Sequence, residues 1–559
     1  MSSPSLVLQN ITRGQFSAES PMQFVGDFNF DTTASEFEAM FQSPRPPATP
    51  SAPSLKTVTG SVADADYANG ANPQFMGLTS DMDPLLLSHY RFDERGMFGF
   101  KELAIHSLQD APVPHHFLVS KQSLFRRRRE EAGLDIHRTE AQQQLEEVIS
   151  PDMGARLIKL FFQVVQPRWP IMSETQILDT PSAAAYLLAA VYAISLPFAV
   201  HDDRLSVDVA YDKPPYPALS RIISSCLEHE THSPSISVAQ TLLLLVLRPS
   251  SDPMVADASY RWDLMGKLVS CATTLGLHLD AASWAIPSWQ RSQRRRMSFL
   301  IFAVDKWLAC SLGRPPFIHS DNWSVTSLDR GNFADAGLQP RDQDQLIDYS
   351  RTTEVLNAVL SKLYSLRAIS KLSTHPSETL AITQPILGDI DNNVDDSESI
   401  SAFLHLSRFY VQLMVLRAEL RPWLTHKPMS DHRTEALTSI GPQSTREKVK
   451  ICTSALSEAI RNLSPDADVA FWPAWSQFMF SSICFTLMTM AVTSPTPEEA
   501  SAWISDLQAT RRVLRLKAAS FPFLRLGLLR IDALFWRGIT NVLHLKPHVA
   551  EAFRAAESS

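Results

Sequence analysis

The chain has 559 residues, a formal net charge of -8 and 45% apolar content, enough to bury a large core in one body or several. A pI near 6.1 argues against a generally basic nucleic-acid-binding surface, so any DNA contact would have to be local. Its five cysteines are scattered singly, the nearest two (Cys452 and Cys484) being 32 residues apart, which suits a reducing compartment and excludes a dense disulfide scaffold.

Residues 1–75 are rich in Ser, Pro, Ala, Asn and Gly, with RPPATP and PSAPSLK runs, and are expected to be disordered. The start lacks the basic residues and apolar block of a secretory signal. From Gly14 to Pro44 there is no Lys or Arg, while Phe16, Phe24, Phe28, Phe30, Phe37 and Phe41 are interleaved with Glu19, Asp27, Asp31, Glu36 and Glu38. Acids keep such aromatics solvated until a groove accepts them, which is the composition of an activation segment, with Phe24, Phe28, Phe30, Phe37 and Phe41 as its candidate anchors. The same composition also suits docking on the protein's own body.

Residues 76–150 read as an opening segment and linker with a basic run, Arg126, Arg127, Arg128 and Arg129, set between Phe125 and Glu130. That run fits a nuclear import signal, a phosphate contact or a solvated linker. From 151 to 545 the chain reads as helix after helix, so the expected fold class is all-α: one large multi-helix domain, followed by a C-terminal tail from 546. Helices are expected from Tyr186 to Leu196, from Ser237 to Leu247, around Trp262 with Gly276 as its stop, and along Leu356, Val359, Leu360, Leu363 and Leu366. Loops are expected at Gly388–Glu398 and over 425–447. Few alternating strand patterns occur, and no fixed-period repeat. Val469–Pro497 and Pro181–Val200 are uncharged and long enough to raise a membrane-associated alternative, although Pro473, Gln477, Pro197 and the small Ala residues favour buried helices of a large core.

Motifs of enzyme chemistry do not occur: no Gly-rich phosphate loop, no Gly-x-Ser-x-Gly, no His-Glu-x-x-His. Cys226, His229 and His232 are the nearest approach to a metal site, but helical spacing turns the third away from the first two. Asp202 and Asp203 are adjacent and point apart. No catalytic, cofactor-binding or metal-binding residue is assigned, and no cofactor is expected in this chain.

The most specific stretch is Arg294–Asp321. Met297, Leu300, Ile301, Val304, Leu308, Ser311 and Leu312 recur at spacings of three and four, placing them along one helical face. Gly313 sits where a left-handed cap is wanted, and Pro315 and Pro316 cannot continue the helix. Asp305 falls on the apolar face, where it needs a partner, and Arg314 folding back over the helix end is the expected one. The Arg294–Arg296 run is expected to form helix-to-helix ion pairs.

Trp262 and Gly266, then Leu275-Gly276-Leu277-His278, the triple Arg294-Arg295-Arg296, Asp305 and Gly313-Arg314-Pro315 together resemble the regulatory region of fungal zinc-cluster transcription factors. Asp81–Leu86, the run from Tyr90, Phe161-Phe162 with Pro167, Trp169 and Pro170, Arg417, Arg421-Pro422-Trp423, and Phe471–Trp475 extend the resemblance over about residues 75–545, the last of these being similar to members that control nitrogen-source catabolism. Ser298 and Phe299 stand where paired aromatics are usual in the family. The resemblance implies a nuclear regulator of RNA polymerase II genes, with partners in the transcription machinery or another DNA-bound factor, and a homodimer as a further partner. The family's DNA-binding module needs six closely spaced cysteines for two zinc ions. These five cannot build it, so DNA contact is expected only if a zinc cluster lies upstream; otherwise the chain is a co-regulator that never binds DNA itself.

Overall fold

The computed structural model describes residues 71–558 apart from 100–102, 110–112, 135–137, 174–182, 212–214, 251, 253, 393–400, 426–434 and 465–470. Phe24, Phe28, Phe30, Phe37 and Phe41 lie outside the described residues, as does the acidic run beyond Asn392.

The described residues are mostly helical, as the sequence led one to expect, and the few strands, β1 (Ala71–Met76), β2 (Met97–Gly99), β3 (Leu103–Gln109) and β4 (His115–Lys121), form one small sheet in the order β1-β4-β3-β2. β4 runs antiparallel to both neighbours, with Phe75 opposite Phe117 and Ala104 opposite Val119. The strands are short, and β3 and β4 bury His106 and His116 alongside their apolar residues, so the apolar-polar alternation that marks a strand is broken at the imidazoles. Leu108, Phe117 and Val119 form a small separate core with Ala281, Trp284 and Ile286.

Behind the sheet the chain is helical: α1 (Arg126–Glu131), α2 (Arg138–Val148), α3 (Pro151–Leu160), α4 (Ala185–Ser195), α5 (Asp203–Tyr211), α6 (Tyr216–Glu230), α7 (Ile236–Leu247), α8 (Ala258–Thr274) and α9 (Ser288–Leu312). There follow α10 (Pro340–Leu363), α11 (Leu366–Leu372), α12 (Pro376–Asn392), α13 (Ala402–Thr425), α14 (Glu435–Arg461), α15 (Ser476–Val492), α16 (Pro497–Lys517), α17 (Arg525–Arg537) and α18 (Pro547–Ser558). One continuous hydrophobic core joins residues from α2 to α18.

Several boundaries differ from the sequence reading. The expected loop at Gly388–Glu398 is helical as far as Asn392, and the polar stretch 425–447 is helical from Glu435. α14 has a buried seam of Val449, Cys452, Leu456 and Ile460, and a helix held by such a seam propagates into polar sequence at little further cost. Leu366 opens α11 and is exposed rather than continuing the α10 face. The residues expected as a C-terminal tail form α18, which buries Val549, Ala552 and Phe553.

The two uncharged stretches become core helices. Every residue of α4 is buried, and α15 buries most of its length. Among the described residues no single helix is long and apolar enough to cross a membrane; the chain from Ala185 to His201 passes that test only together with α5, across a 105° bend.

Candidate functional site

The residues singled out by sequence converge on α9, which is buried on nearly every side from Gln290 to Ala309. Each member of the Arg run has its own role. Arg296 is fully buried; its guanidinium forks onto both carboxylate oxygens of Asp335 and donates to the carbonyls of Asn332 and Pro170. Arg294 donates to the Leu275 carbonyl at 2.9 Å and lies over the Trp284 ring. Arg295, nearer the surface, pairs with Asp280 and Asp329, each at 3.0 Å. Ion pairs thus form at Arg295 and Arg296, but with acids on the turns before and after α9, not with another helix as expected. A planar fork can satisfy a carboxylate and backbone carbonyls together, which is how a buried arginine fastens irregular chain.

At the other end of α9 the expected Asp305–Arg314 pair does not form. Asp305 pairs with Lys306 at 3.1 Å and accepts hydrogen bonds from the backbone N–H groups of Phe317 and Ile318 at 2.8 and 3.1 Å. Lys306 also donates to the Ile318 carbonyl. Neighbours in a helix point about 100° apart, which is why the spacing argument passed over Lys306, but its long stem reaches back to the same loop. Burial pushes the Asp305 carboxyl up and the Lys306 ammonium down, and the mutual attraction and backbone donors oppose that cost. Arg314 instead stacks on Trp262, which also stacks on Phe317 with ring centroids 4.4 Å apart. Gly266 lies beneath the same Phe317 ring. Gly313 takes the left-handed conformation (φ 65) required of the cap, and Pro315 follows it.

Distant motifs meet around this helix. Trp169, from the early aromatic-proline motif, packs edge-on against Trp475 of the late Phe471–Trp475 motif at 5.5 Å, and against Tyr349 at 5.8 Å. Tyr349 stacks in turn on Trp307 of α9. Arg421 donates to the Leu363 carbonyl and lies over Tyr364. Gly276 adopts φ +68, and a Cβ there would stand 2.5 Å from the Phe117 ring, so the Leu275–His278 segment also seats the sheet.

The remaining candidates divide. Arg129 is buried and donates to Ser233 and to the His229 carbonyl, whereas Arg126, Arg127 and Arg128 are exposed, the latter two paired with Glu131. Arg129 therefore belongs to the packing of α1 on α6 and is not accessible to an import receptor. Cys226 is buried in α6 and His232 lies beyond its end. Among the described residues no group of three or more His, Cys, Asp or Glu could hold a metal ion. Burial pushes the thiols of Cys271, Cys452 and Cys484 up to about 12 and that of Cys310 up to about 11. Zinc takes thiolates, so these residues do not fit the family's zinc cluster. A crevice between α10, α12 and α13, lined by Thr352, Val355, Ile390, Arg408 and Val411, has room for about 10 Å³, about one water molecule and far below a metabolite.

The geometry describes a scaffold that its marked residues hold together. Residues 158–398 match the fungal specific transcription factor domain. The chain is similar to the transcriptional activator protein DAL81 of Saccharomyces cerevisiae, at 24% identity over 82% of this chain and 51% of that protein. It is also similar to an uncharacterized transcriptional regulatory protein of Schizosaccharomyces pombe, at 20% over 83% of this chain and 69% of that one. The acetamidase regulatory protein of Aspergillus fumigatus is 24% identical over 46% of this chain and 34% of its own length. The chain spans about half the length of the first of these relatives. No solved structure matches it. α4 to α12 fall within the span that matches the fungal specific transcription factor domain, and the signature residues are knitted around α9 inside it; over that span the chain is similar to fungal transcription regulators.

Proposed function

We propose that the chain regulates transcription of RNA polymerase II genes in the nucleus, and that its helical body acts through protein contacts, without catalysis and without a cofactor of its own. The observation that carries this reading is that, within the matched domain, the buried charges Arg296, Asp305 and Lys306 fasten loops instead of lining a cleft. Transcription machinery or another DNA-bound factor is the proposed partner, with DNA contact only if a zinc cluster lies upstream. The Phe24–Phe41 segment is the proposed activation element and Arg126, Arg127 and Arg128 the exposed part of the proposed import signal. The acetamidase regulatory proteins among the relatives make genes for nitrogen-source use the first promoters to examine.

The test is a fusion of the full chain to an unrelated DNA-binding module over a reporter. Activation or repression that is lost when Phe24, Phe28 and Phe30 become Ser supports the reading. A fusion that is folded and nuclear but leaves the reporter unchanged on every promoter tried overturns it.

A further inference from the structure

The C-terminal hairpin carries a surface that none of the family motifs accounts for. Between Gln508 and Ala550 the sequence holds eight Lys or Arg and a single acid, Asp532, in a chain whose net charge is -8. That acid is buried and already committed: Arg511 donates to it twice, at 2.8 and 2.6 Å, and Arg515 closes on its other oxygen at 2.9 Å. These bonds tie α16 to α17. On the solvent side of the tie, helical spacing sets Arg512 and Leu516 along α16, and Arg530, Ala533, Trp536 and Arg537 along α17. Among the described residues Arg512 and Arg537 have no carboxylate partner. Trp536 is 71% exposed and Leu516 79%.

A large aromatic left in water on a helix pair that also exposes unpaired guanidinium groups suits an anchor with a charged rim. We infer that this face of α16 and α17 binds an acidic peptide segment of a partner protein that bears aromatic or large apolar side chains. The cations would select its acids, and Trp536 with Leu516 would take its apolar residues. Duplex nucleic acid fits less well. The chain as a whole is acidic and would repel it, and two unpaired guanidinium groups are few for a surface that must track a phosphate backbone. The surface is tested without any promoter, so it stands or falls separately from the regulatory reading.

The probe is a labelled peptide copying residues 14–44 of this chain, which has the required acids and phenylalanines and no Lys or Arg. Fluorescence anisotropy is measured on the full chain and on a full chain with Phe24, Phe28, Phe30, Phe37 and Phe41 changed to Ser, so that a resident copy of the segment cannot mask the face. Binding by either protein that weakens at least about tenfold with Trp536→Ala, and again with Arg512→Glu plus Arg537→Glu, supports the inference. These side chains are exposed, so unchanged thermal unfolding separates lost binding from lost folding. Absence of binding to both proteins, or binding indifferent to these substitutions, overturns it. So does tighter binding of a labelled DNA duplex that responds only to the charge reversals, or a concentration-dependent dimer abolished by Trp536→Ala, which would make the face an interface between copies.

Discussion

The Arg run that opens α9 and the Arg-rich hairpin of α16 and α17 read alike in sequence, yet the structure uses them in opposite ways. In α9 the charges point inward and end on carbonyls and carboxylates of flanking turns, so that Arg296 has no contact with water. In the hairpin one acid satisfies Arg511 and Arg515, and the surplus cations Arg512 and Arg537, like Trp536, are exposed. The lesson is that a basic run has no function of its own; the supply of acceptors around it decides. Where turns present free carbonyls, arginines become fasteners, and where helices have consumed their own carbonyls, they are left for a partner.

The sharpest way to break this contrast is inside the α9 run. Arg296→Ala leaves Asp335 and the carbonyls of Asn332 and Pro170 without their donor and should cost about 3–5 kcal/mol, with Arg296→Lys recovering little because an ammonium cannot fork onto both oxygens. Arg295→Ala, whose partner Asp329 is largely exposed, should cost about 1 kcal/mol or less. Urea unfolding of the three variants checks the ranking, and equal costs for Arg295 and Arg296 would remove the distinction. Asp305→Ala should be comparably damaging, about 3–5 kcal/mol, since it strands a buried ammonium and two backbone donors. Changing Lys306 to Met in the same chain should restore part of that loss, and a double-mutant cycle with no coupling would show that the pair is not a unit.

Much of this was legible beforehand, for identifiable reasons. Helices such as α4, α7 and α8 are long, apolar and punctuated by Pro or Gly, and Gly276 and Gly313 adopt the left-handed conformations that their positions demand. The sheet was not legible, because His106 and His116 are buried where pattern reading expects polar residues to face water. The partner of Asp305 was not legible because Lys306, next to it in the helix, points about 100° away, and only its long stem brings the ammonium back to the Phe317–Ile318 loop. The hairpin surface had a signal, the run of cations with one acid, but composition alone did not reveal that Asp532 was already taken or that Trp536 pointed outward.

Acid provides a gentler probe of where the body is fastened. Burial, reinforced by His115, pushes His278 down to about 4, and burial with His116 lowers His115 as well. His278 packs against Phe75 of β1 and near Trp323, and His115 accepts a hydrogen bond from the Trp284 indole at 3.0 Å. Both imidazoles are thus held neutral in the folded chain. Between about pH 6.5 and 4 the unfolded chain binds the additional protons, so stability should fall as pH is lowered through that window. Denaturation midpoints at about pH 7.5 and about pH 5 should converge in His278→Gln relative to the unmodified protein. An unchanged difference would mean that the seat of the sheet is not acid-sensitive.

The smallest expected effect is the one that completes the contrast. Arg512→Glu plus Arg537→Glu alters two exposed side chains that satisfy no buried group, so folding stability should change by about 0.5 kcal/mol or less. Asp532 could in principle feel the added acids, but Arg511 and Arg515 already hold it at 2.6 and 2.9 Å, and charges in water at greater distance are screened within about 10 Å at moderate salt. A loss approaching that of Arg296→Ala would mean that the outer cations also fasten the fold, and the division between inward and outward arginines would fail. A near-zero change alongside lost peptide binding would establish that evolution has left these charges on the surface for recognition, because they contribute nothing to the stability of the chain that carries them.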